Sequence, residues 1–269
     1  MQRGAMPVPR RKFGGESGGE SGERLLPQEH AVALSFNGST QAVMMATPDD
    51  LVDFAYGFAL TEGLARPDEI EEITVVAGER GTDVQTWLVP EAEARLKERR
   101  RTMAGPVGCG LCGIDSIEQA LREMPRVAET GFRMRAAEVM AAIDALPAHQ
   151  PLHDVTRAAH CAAYWVPGGI YAAREDVGRH NALDKLAGHL IRHPHAEGAV
   201  VLTSRVSTDM VQKVAAIGAA MLIAVSAPTA DAVALADQLG ITLIALARPD
   251  RFELFTHPHR LIPEDPHVR

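Results

Sequence analysis

Residues 199–248 read AVVLTSRVSTDMVQKVAAIGAAMLIAVSAPTADAVALADQLGITLIALAR. Three short apolar runs, Ala199 to Thr203, Met221 to Val225 and Ile241 to Ala245, alternate with two longer amphipathic runs, Asp209 to Ile217 and Ala230 to Leu239. A strand that is apolar on both sides has no face to give to water, so each short run predicts a strand buried on both faces. The amphipathic runs predict the helices that cover them, and the links between are short. Alternation of this kind specifies an α/β domain built on a parallel sheet with helices on both faces.

Working upstream, Ala158 to Val166 and Gly169 to Ala173 predict paired strands around Pro167-Gly168, and Asn181 to Ile191 predicts a helix. Polar residues gather where strands end. Thr203-Ser204-Arg205 follows one strand, Ser226-Ala227-Pro228-Thr229 the next, and Ala247-Arg248-Pro249-Asp250-Arg251 the third. Arg174-Glu175-Asp176-Val177-Gly178-Arg179-His180-Asn181 follows the strand ending at Ala173. Ligands of open parallel sheets bind beyond the carboxyl ends of the strands, where helix N-termini also point. Arg179, Arg205, Arg248 and Arg251 there would supply guanidinium forks for phosphate. One such loop is an ordinary turn with a solvated arginine. Four together point to an anionic, nucleotide-like ligand. Of the other groups, Cys161 between alanines reads as a core thiol, Arg174-Glu175-Asp176 as an internal ionic network, and Asp184 with Lys185 as part of a solvated helix face. His180 reads as a base, a ligand contact or a structural histidine.

The first half of the chain is organised differently. Residues 1–25, rich in Gly, Arg, Ser and Glu, predict a disordered tail. Residues 26–98 predict a smaller α+β domain. In it, alternating residues flank the turn Asn37-Gly38, a hairpin signal. Thr47 as cap and Pro48 at the first position open a helix with Leu51, Phe54, Ala55, Phe58 and Ala59 on one face, stopped by Gly63. Strands follow at Glu71 to Val76 and Val84 to Val89. Residues 99–131 hold a basic segment, a cysteine loop and a helix. Residues 132–269 form the larger α/β domain, opened by a helix from Ala136 to Ala145 with Ala137, Met140, Ala141 and Ile143 as its apolar positions.

Gly108-Cys109-Gly110-Leu111-Cys112-Gly113 is the stretch with the most reactive chemistry. Glycines leave both sulfurs sterically bare. Asp115 and Glu118 just after them mark a helix start, whose dipole and free N–H groups favour thiolate. A thioredoxin-like pair would follow a strand, and the segment before these thiols is polar and basic. A zinc site needs two further ligands, and His160 and Cys161, adjacent in a strand, point to opposite faces. The zinc-deaminase signature is absent, so no metal is assigned. Nucleophilic sulfur chemistry remains: one thiolate accepts sulfane sulfur as a persulfide, and the neighbouring thiol displaces it.

Three cysteines in 269 residues make no disulfide framework and fit a reducing compartment. The formal net charge of −8 argues against nucleic-acid binding. No apolar run reaches the roughly 18 residues needed to cross a bilayer. Arg10-Arg11-Lys12-Phe13 has the look of a twin-arginine export signal, but Gly14 to Glu23 is not the apolar segment that should follow, so the expectation is a cytoplasmic protein.

These residues together resemble the FdhD family, sulfur-carrier proteins needed for formate dehydrogenase activity. The resemblance covers nearly all of the chain after the tail. It rests on Asn37-Gly38, Thr47-Pro48, Gly57 and Thr61-Glu62-Gly63, on Cys109-Gly110-Leu111-Cys112-Gly113, and on Arg174 to Ala182 with Asp184-Lys185. Val206-Ser207, Met210 to Lys213, Val225 to Thr229 and Ala247-Arg248 extend it. The chain departs from the family pattern at Arg157-Ala158-Ala159, Thr203-Ser204-Arg205 and Leu246-Ala247-Arg248. The resemblance implies a C-terminal cytidine-deaminase-like three-layer domain beside the smaller N-terminal α+β domain, and a homodimer. It implies a sulfurtransferase that takes persulfide sulfur from a cysteine desulfurase and passes it to the molybdenum cofactor, bis-molybdopterin guanine dinucleotide, for formate dehydrogenase. By family position Cys109 carries the persulfide and Cys112 is its partner. Leu246, Ala247, Arg248, Pro249, Asp250 and Arg251 match the cofactor-contact segment. The crevice lined by Arg179, Arg205, Ser226, Thr229, Arg248 and Arg251 is the place where such a cofactor would sit. The competing reading is a binding module that chaperones the cofactor, with the thiols as contacts only. A thiol–disulfide oxidoreductase is a third.

Overall fold

A computed structural model of the chain describes residues 4–14, 17–103 and 124–262. Its centre is a six-stranded sheet of β8 (His160–Val166), β9 (Gly169–Asp176), β10 (Ala199–Leu202), β11 (Met221–Ala224), β12 (Thr242–Arg248) and β13 (Arg251–Leu254), in the order β13-β12-β11-β10-β8-β9. β10, β11 and β12 pair parallel, and β9, two antiparallel steps from β10, runs in their direction; β8 and β13 run opposite. The sheet is therefore mixed rather than parallel throughout, and the connections explain it. A helical crossover returns the chain in the same direction. The tight turns at Pro167-Gly168 and Pro249-Asp250 reverse it.

Three helices, α5 (Arg179–Arg192), α6 (Thr208–Ile217) and α7 (Ala230–Leu239), cover one face. There Leu183, Leu186, Met210, Val214, Ala232 and Ala236 join Val200, Leu222 and Leu243 in one core cluster. On the opposite face α3 (Ala136–Ala145) packs Val139, Ala142 and Ile143 over Val201, Ile223 and Ile244. The domain thus has three layers. The buried face of α3 is turned from the expected one: Ala137 and Ala141 are exposed and Met140 is half-buried. In an alanine-rich helix several faces are comparably apolar, and here the face carrying Val139 and Ile143 is the one covered.

The smaller unit is a four-stranded sheet in the order β4-β3-β6-β5, from β3 (His30–Phe36), β4 (Ser39–Ala46), β5 (Ile70–Gly78) and β6 (Gly81–Leu88). Asn37 and Gly38, both at positive φ, make the hairpin turn. Helices α1 (Leu51–Thr61) and α2 (Pro90–Met103) cover one face, with Phe54, Phe58, Ala92 and Leu96 against Val32, Leu34 and Val84. Thr47 is not the cap of α1. Asp50 holds that place, while Thr47 is buried and bonded to Asp176 and Val177 across the molecule.

Nor is the N-terminal stretch without structure. β1 (Ala5–Gly14) pairs antiparallel with β2 (Ser17–Pro27) as a ribbon. Its base is held: Ala5 packs with Leu152 and Ala159, and Arg24 donates to the Thr156 carbonyl at 3.2 Å. Composition missed this because backbone pairing and a few base contacts, not a buried face, order the ribbon.

The two sheet units meet where α1 crosses α5. A Cβ at Gly57 would fall on the Asp184 carbonyl, and one at Gly188 on the Asp53 carbonyl, so glycine is what permits this approach. Buried charges cross the same seam. Lys185, fully buried, donates to Asp176 at 2.6 Å and to the Thr47 carbonyl at 2.8 Å. Lys213 bonds Asp184, Thr61 and Glu62. Asp53 receives Arg174 at 2.7 Å and Arg192 at 2.5 Å. Asp184 and Lys185, expected on a solvated face, are instead interior. Each is neutralised by a partner on another element, Lys185 by Asp176 of β9 and Asp184 by Lys213 of α6.

Candidate functional site

The strand ends expected to line a ligand site are stitched into one rim by backbone hydrogen bonds. Thr203 N–H donates to the Cys161 carbonyl at 3.1 Å, and Val225 N–H to the Leu202 carbonyl at 2.9 Å. Val206 N–H reaches the Ala227 carbonyl at 3.2 Å, Thr229 N–H the Val206 carbonyl at 2.9 Å, and Leu246 N–H the Ser226 carbonyl at 3.2 Å. The ends of β10, β11 and β12 are therefore contiguous. The N-termini of α5, α6 and α7 open onto the same end of the sheet, because each follows one of these strands or β9.

The individual residues differ in how free they are. Arg205 and Arg251 are exposed, and Arg251 pairs with Asp250 at 3.1 Å in solvent. Arg248 turns inward at one nitrogen, donating to the Val225 carbonyl at 2.6 Å and the Ala247 carbonyl at 2.8 Å, which ties β12 to the end of β11. Thr229 uses its hydroxyl to cap α7 through Ala232 N–H at 3.2 Å. Ser226 is half-buried, and Ala247 is buried, so it offers the rim only backbone. Leu246 sits at φ 51° inside an irregularity of β12, a left-handed conformation uncommon for a leucine.

Arg179 and His180 begin α5. The Arg179 Nε is buried with no hydrogen-bond partner, whereas Arg174, Asp176, Asn181, Asp184 and Lys185 of the same string are all bonded inside the protein. His180 Nε2 bonds the carboxylate of Asp209 in the first turn of α6. Burial alone would push the Asp209 carboxyl up. The hydrogen bond with His180 and the charges of His180 and Arg179 outweigh it and hold the group well below the usual carboxylate range. His160, at the start of β8, faces the same groups. Burial lowers its pKa from the ordinary value, and the charges of Arg179, His153 and His180 lower it further. A paired histidine and carboxylate beside guanidinium groups can exchange protons with, and hold, an anionic reactant. Sequence reading weighed His160 only as a metal ligand and Asp209 only as a helix start. No spacing links residues 29 apart, so only the fold shows the pair.

Cys109 and Cys112 lie outside the described residues. The third cysteine, Cys161, is a core thiol at 2% exposure, and burial, with the nearby Glu175 charge, pushes its pKa far up. Among the described residues no group of three His, Cys, Asp or Glu side chains could hold a metal ion, and no helix is long and apolar enough to cross a membrane.

Comparison with known proteins bears on the family and the fold. A sulfur carrier protein FdhD of Agrobacterium fabrum is 51% identical over 90% of this chain and 91% of its own length. The protein of the same name from Brucella abortus is 50% identical over 91% and 93%, and that from Cupriavidus necator 47% over 88% and 83%. A crystal structure from Desulfotalea psychrophila, of a protein assigned as a formate dehydrogenase accessory protein, superposes with a TM-score of 0.76 over 96% of this chain and 99% of that one, at 24% identity. It supports the two-domain α/β fold. The family model FdhD/NarQ spans residues 27–262, so both sheets and the whole rim lie within the match, and the chain belongs to the FdhD/NarQ family.

Proposed function

We propose that this chain is a sulfur carrier that serves formate dehydrogenase. Cys109 accepts sulfane sulfur from a cysteine desulfurase, and the acceptor is the molybdenum cofactor, bis-molybdopterin guanine dinucleotide, as substrate. In loading, the Cys109 thiolate attacks the terminal sulfur of the desulfurase persulfide, and the desulfurase thiolate leaves with the bonding pair. In release, Cys112 thiolate attacks the Cys109 sulfur. The terminal sulfur departs as hydrosulfide, and a Cys109–Cys112 disulfide remains for a thiol reductant to reopen. The observation that carries the reading is the elimination of Cys161. Of three cysteines, one is sealed in the core, which leaves the glycine-flanked pair for any thiol chemistry.

The rim is where the acceptor would rest. Its orphaned Arg179 Nε, its exposed Arg205 and Arg251 and its helix N-termini suit a phosphate-bearing ligand. Ser226, Thr229 and Arg248 complete the lining, with Leu246, Ala247, Pro249 and Asp250 as backbone and edge. His180, oriented by Asp209, is the group there able to give or take a proton. The setting is the reducing cytoplasm, and the chain acts as a homodimer.

Formate dehydrogenase activity, measured in a bacterium deleted for its own family member, tests the reading. The wild-type chain restores activity and Cys109→Ala does not. Full activity with Cys109→Ala would instead favour a chaperone that holds the cofactor without carrying sulfur.

A further inference from the structure

α5 and α6 both begin without a side-chain cap, and they begin side by side. Gly178 and Ser207, the residues before them, make no side-chain hydrogen bond to either first turn, and the first turn of α5 holds no acidic residue. The first N–H groups of a helix carry positive partial charge and need acceptors. His180, the second residue of α5, bonds Asp209, the second residue of α6, so the two starts are neighbours. The loop before α6 holds Ser207 at this junction. Val206 is fully buried and bridges Pro228, and its carbonyl accepts from Thr229 N–H at 2.9 Å. The chain therefore turns inward at Val206 and leaves Ser207 at the head of the helix.

Two polar atoms of the junction are sealed from solvent with no hydrogen-bond partner: Arg179 Nε, on the first residue of α5, and Ser207 Oγ. A serine at such a position ordinarily caps the helix with its hydroxyl, as Thr229 does for α7 through Ala232 N–H at 3.2 Å. Buried polar groups left unmet are costly, and two at one junction call for a ligand that accepts. The surrounding charge has the matching sign. The Arg179 charge acts on both His160 and Asp209, so its guanidinium lies within reach of the starts of β8 and α6. The carboxylates of this region are already held: Asp209 by His180, Asp176 by Lys185 and Asn181, and Glu175 by the N–H groups of Leu152 and His153.

We propose that the junction of α5 and α6 is a subsite for one phosphate group, bound by Arg179 Nε–H, the Ser207 hydroxyl and the first N–H groups of α6. All three kinds of donor meet one tetrahedral anion, as at other helix N-termini that hold phosphate. Asp209, held by His180, leaves the α6 N–H groups to the ligand. The subsite rests on the proposed function and deepens it, naming the chemical group that the rim takes and the residues that take it. The phosphate of a nucleotide and a free phosphate ion share this chemistry.

Titration calorimetry of the full chain with inorganic phosphate, GMP and guanosine separates them. GMP binds at least about ten-fold more tightly than guanosine, and Ser207→Ala removes about ten-fold of GMP affinity while leaving guanosine within about two-fold. Ser207→Asp supplies both a helix cap and a negative charge, so it removes phosphate binding without lowering the melting temperature. Arg251→Ala, changed in the solvent pair with Asp250, leaves inorganic phosphate within about two-fold of wild type. Inorganic phosphate that binds through Ser207 where GMP does not upholds the subsite and makes the free ion its ligand. GMP binding unchanged in both Ser207 variants overturns the subsite and leaves a rim that takes nucleotide elsewhere. An equal loss on Arg251→Ala shows diffuse charge rather than a site, and overturns it as well. Binding of neither ligand overturns the subsite and the anionic rim together, while sulfur loading on Cys109 is read separately by mass.

Discussion

His160 and Cys161 are neighbours in β8 and have opposite fates. The histidine faces Arg179 and His180 at the rim, while the thiol lies among Ile223, Val201 and Leu146 in the core. Strand alternation predicts the split and rules them out as joint metal ligands. It follows that a thiol reagent should label the native protein at two positions at most. Cys161 should react only after denaturation, as counted by mass with and without guanidinium. His160 and His189 both sit below the ordinary 6.5, by burial first and then by adjacent arginines. A lowered histidine binds its proton more readily in the unfolded chain. Stability should therefore be full above about pH 6.5 and fall as pH drops through that value. Urea midpoints across pH 5 to 8 check this, and His160→Gln should flatten the slope. Buried charges are the third test. Lys185→Met strands the Asp176 carboxylate, at a cost of about 3–5 kcal/mol in urea unfolding. The roles of Asp184 and Lys185 were illegible in sequence because their partners, Lys213 and Thr47 with Asp176, come from other elements. A charge run looks the same whether it meets water or a distant counter-charge.

The strands and helices of the larger domain were legible to within a few residues, because periodicity is a local property. Strand direction was less so, since it depends on connections. β8 and β13 turn back, and the crossovers through α5, α6 and α7 return the chain in one direction. The rim was legible as a set of strand ends. Its His180–Asp209 pair was not, because it joins two helix starts. The crossing of α1 on α5 is likewise a tertiary fact written in single glycines. Gly57→Ala or Gly188→Ala drives a methyl into backbone and should cost about 3 kcal/mol. Gly131→Ala, with nothing within 4 Å of its Cβ, should stay within about 0.5 kcal/mol of wild type, measured in the same urea series.

On the scale of the whole molecule, the two sheets are locked by Asp53, Thr47, Thr61 and Glu62 on one side and Arg174, Asp176, Lys185 and Lys213 on the other. Most of the string from Arg174 to Lys185 serves that lock. Arg179 and His180 are its members that face the rim. Calorimetry should accordingly show one unfolding transition for both units, and Lys213→Ala should broaden or split it. In the proposed function this rigid body presents the rim to the anionic acceptor, and the glycine-flanked pair brings the sulfur to it. Intact mass spectrometry of the protein after incubation with a cysteine desulfurase and free cysteine tests that claim most directly. The account predicts a gain of one sulfur atom on wild type and on Cys161→Ala, absent from Cys109→Ala. No gain on wild type, or an equal gain on Cys109→Ala, would contradict it.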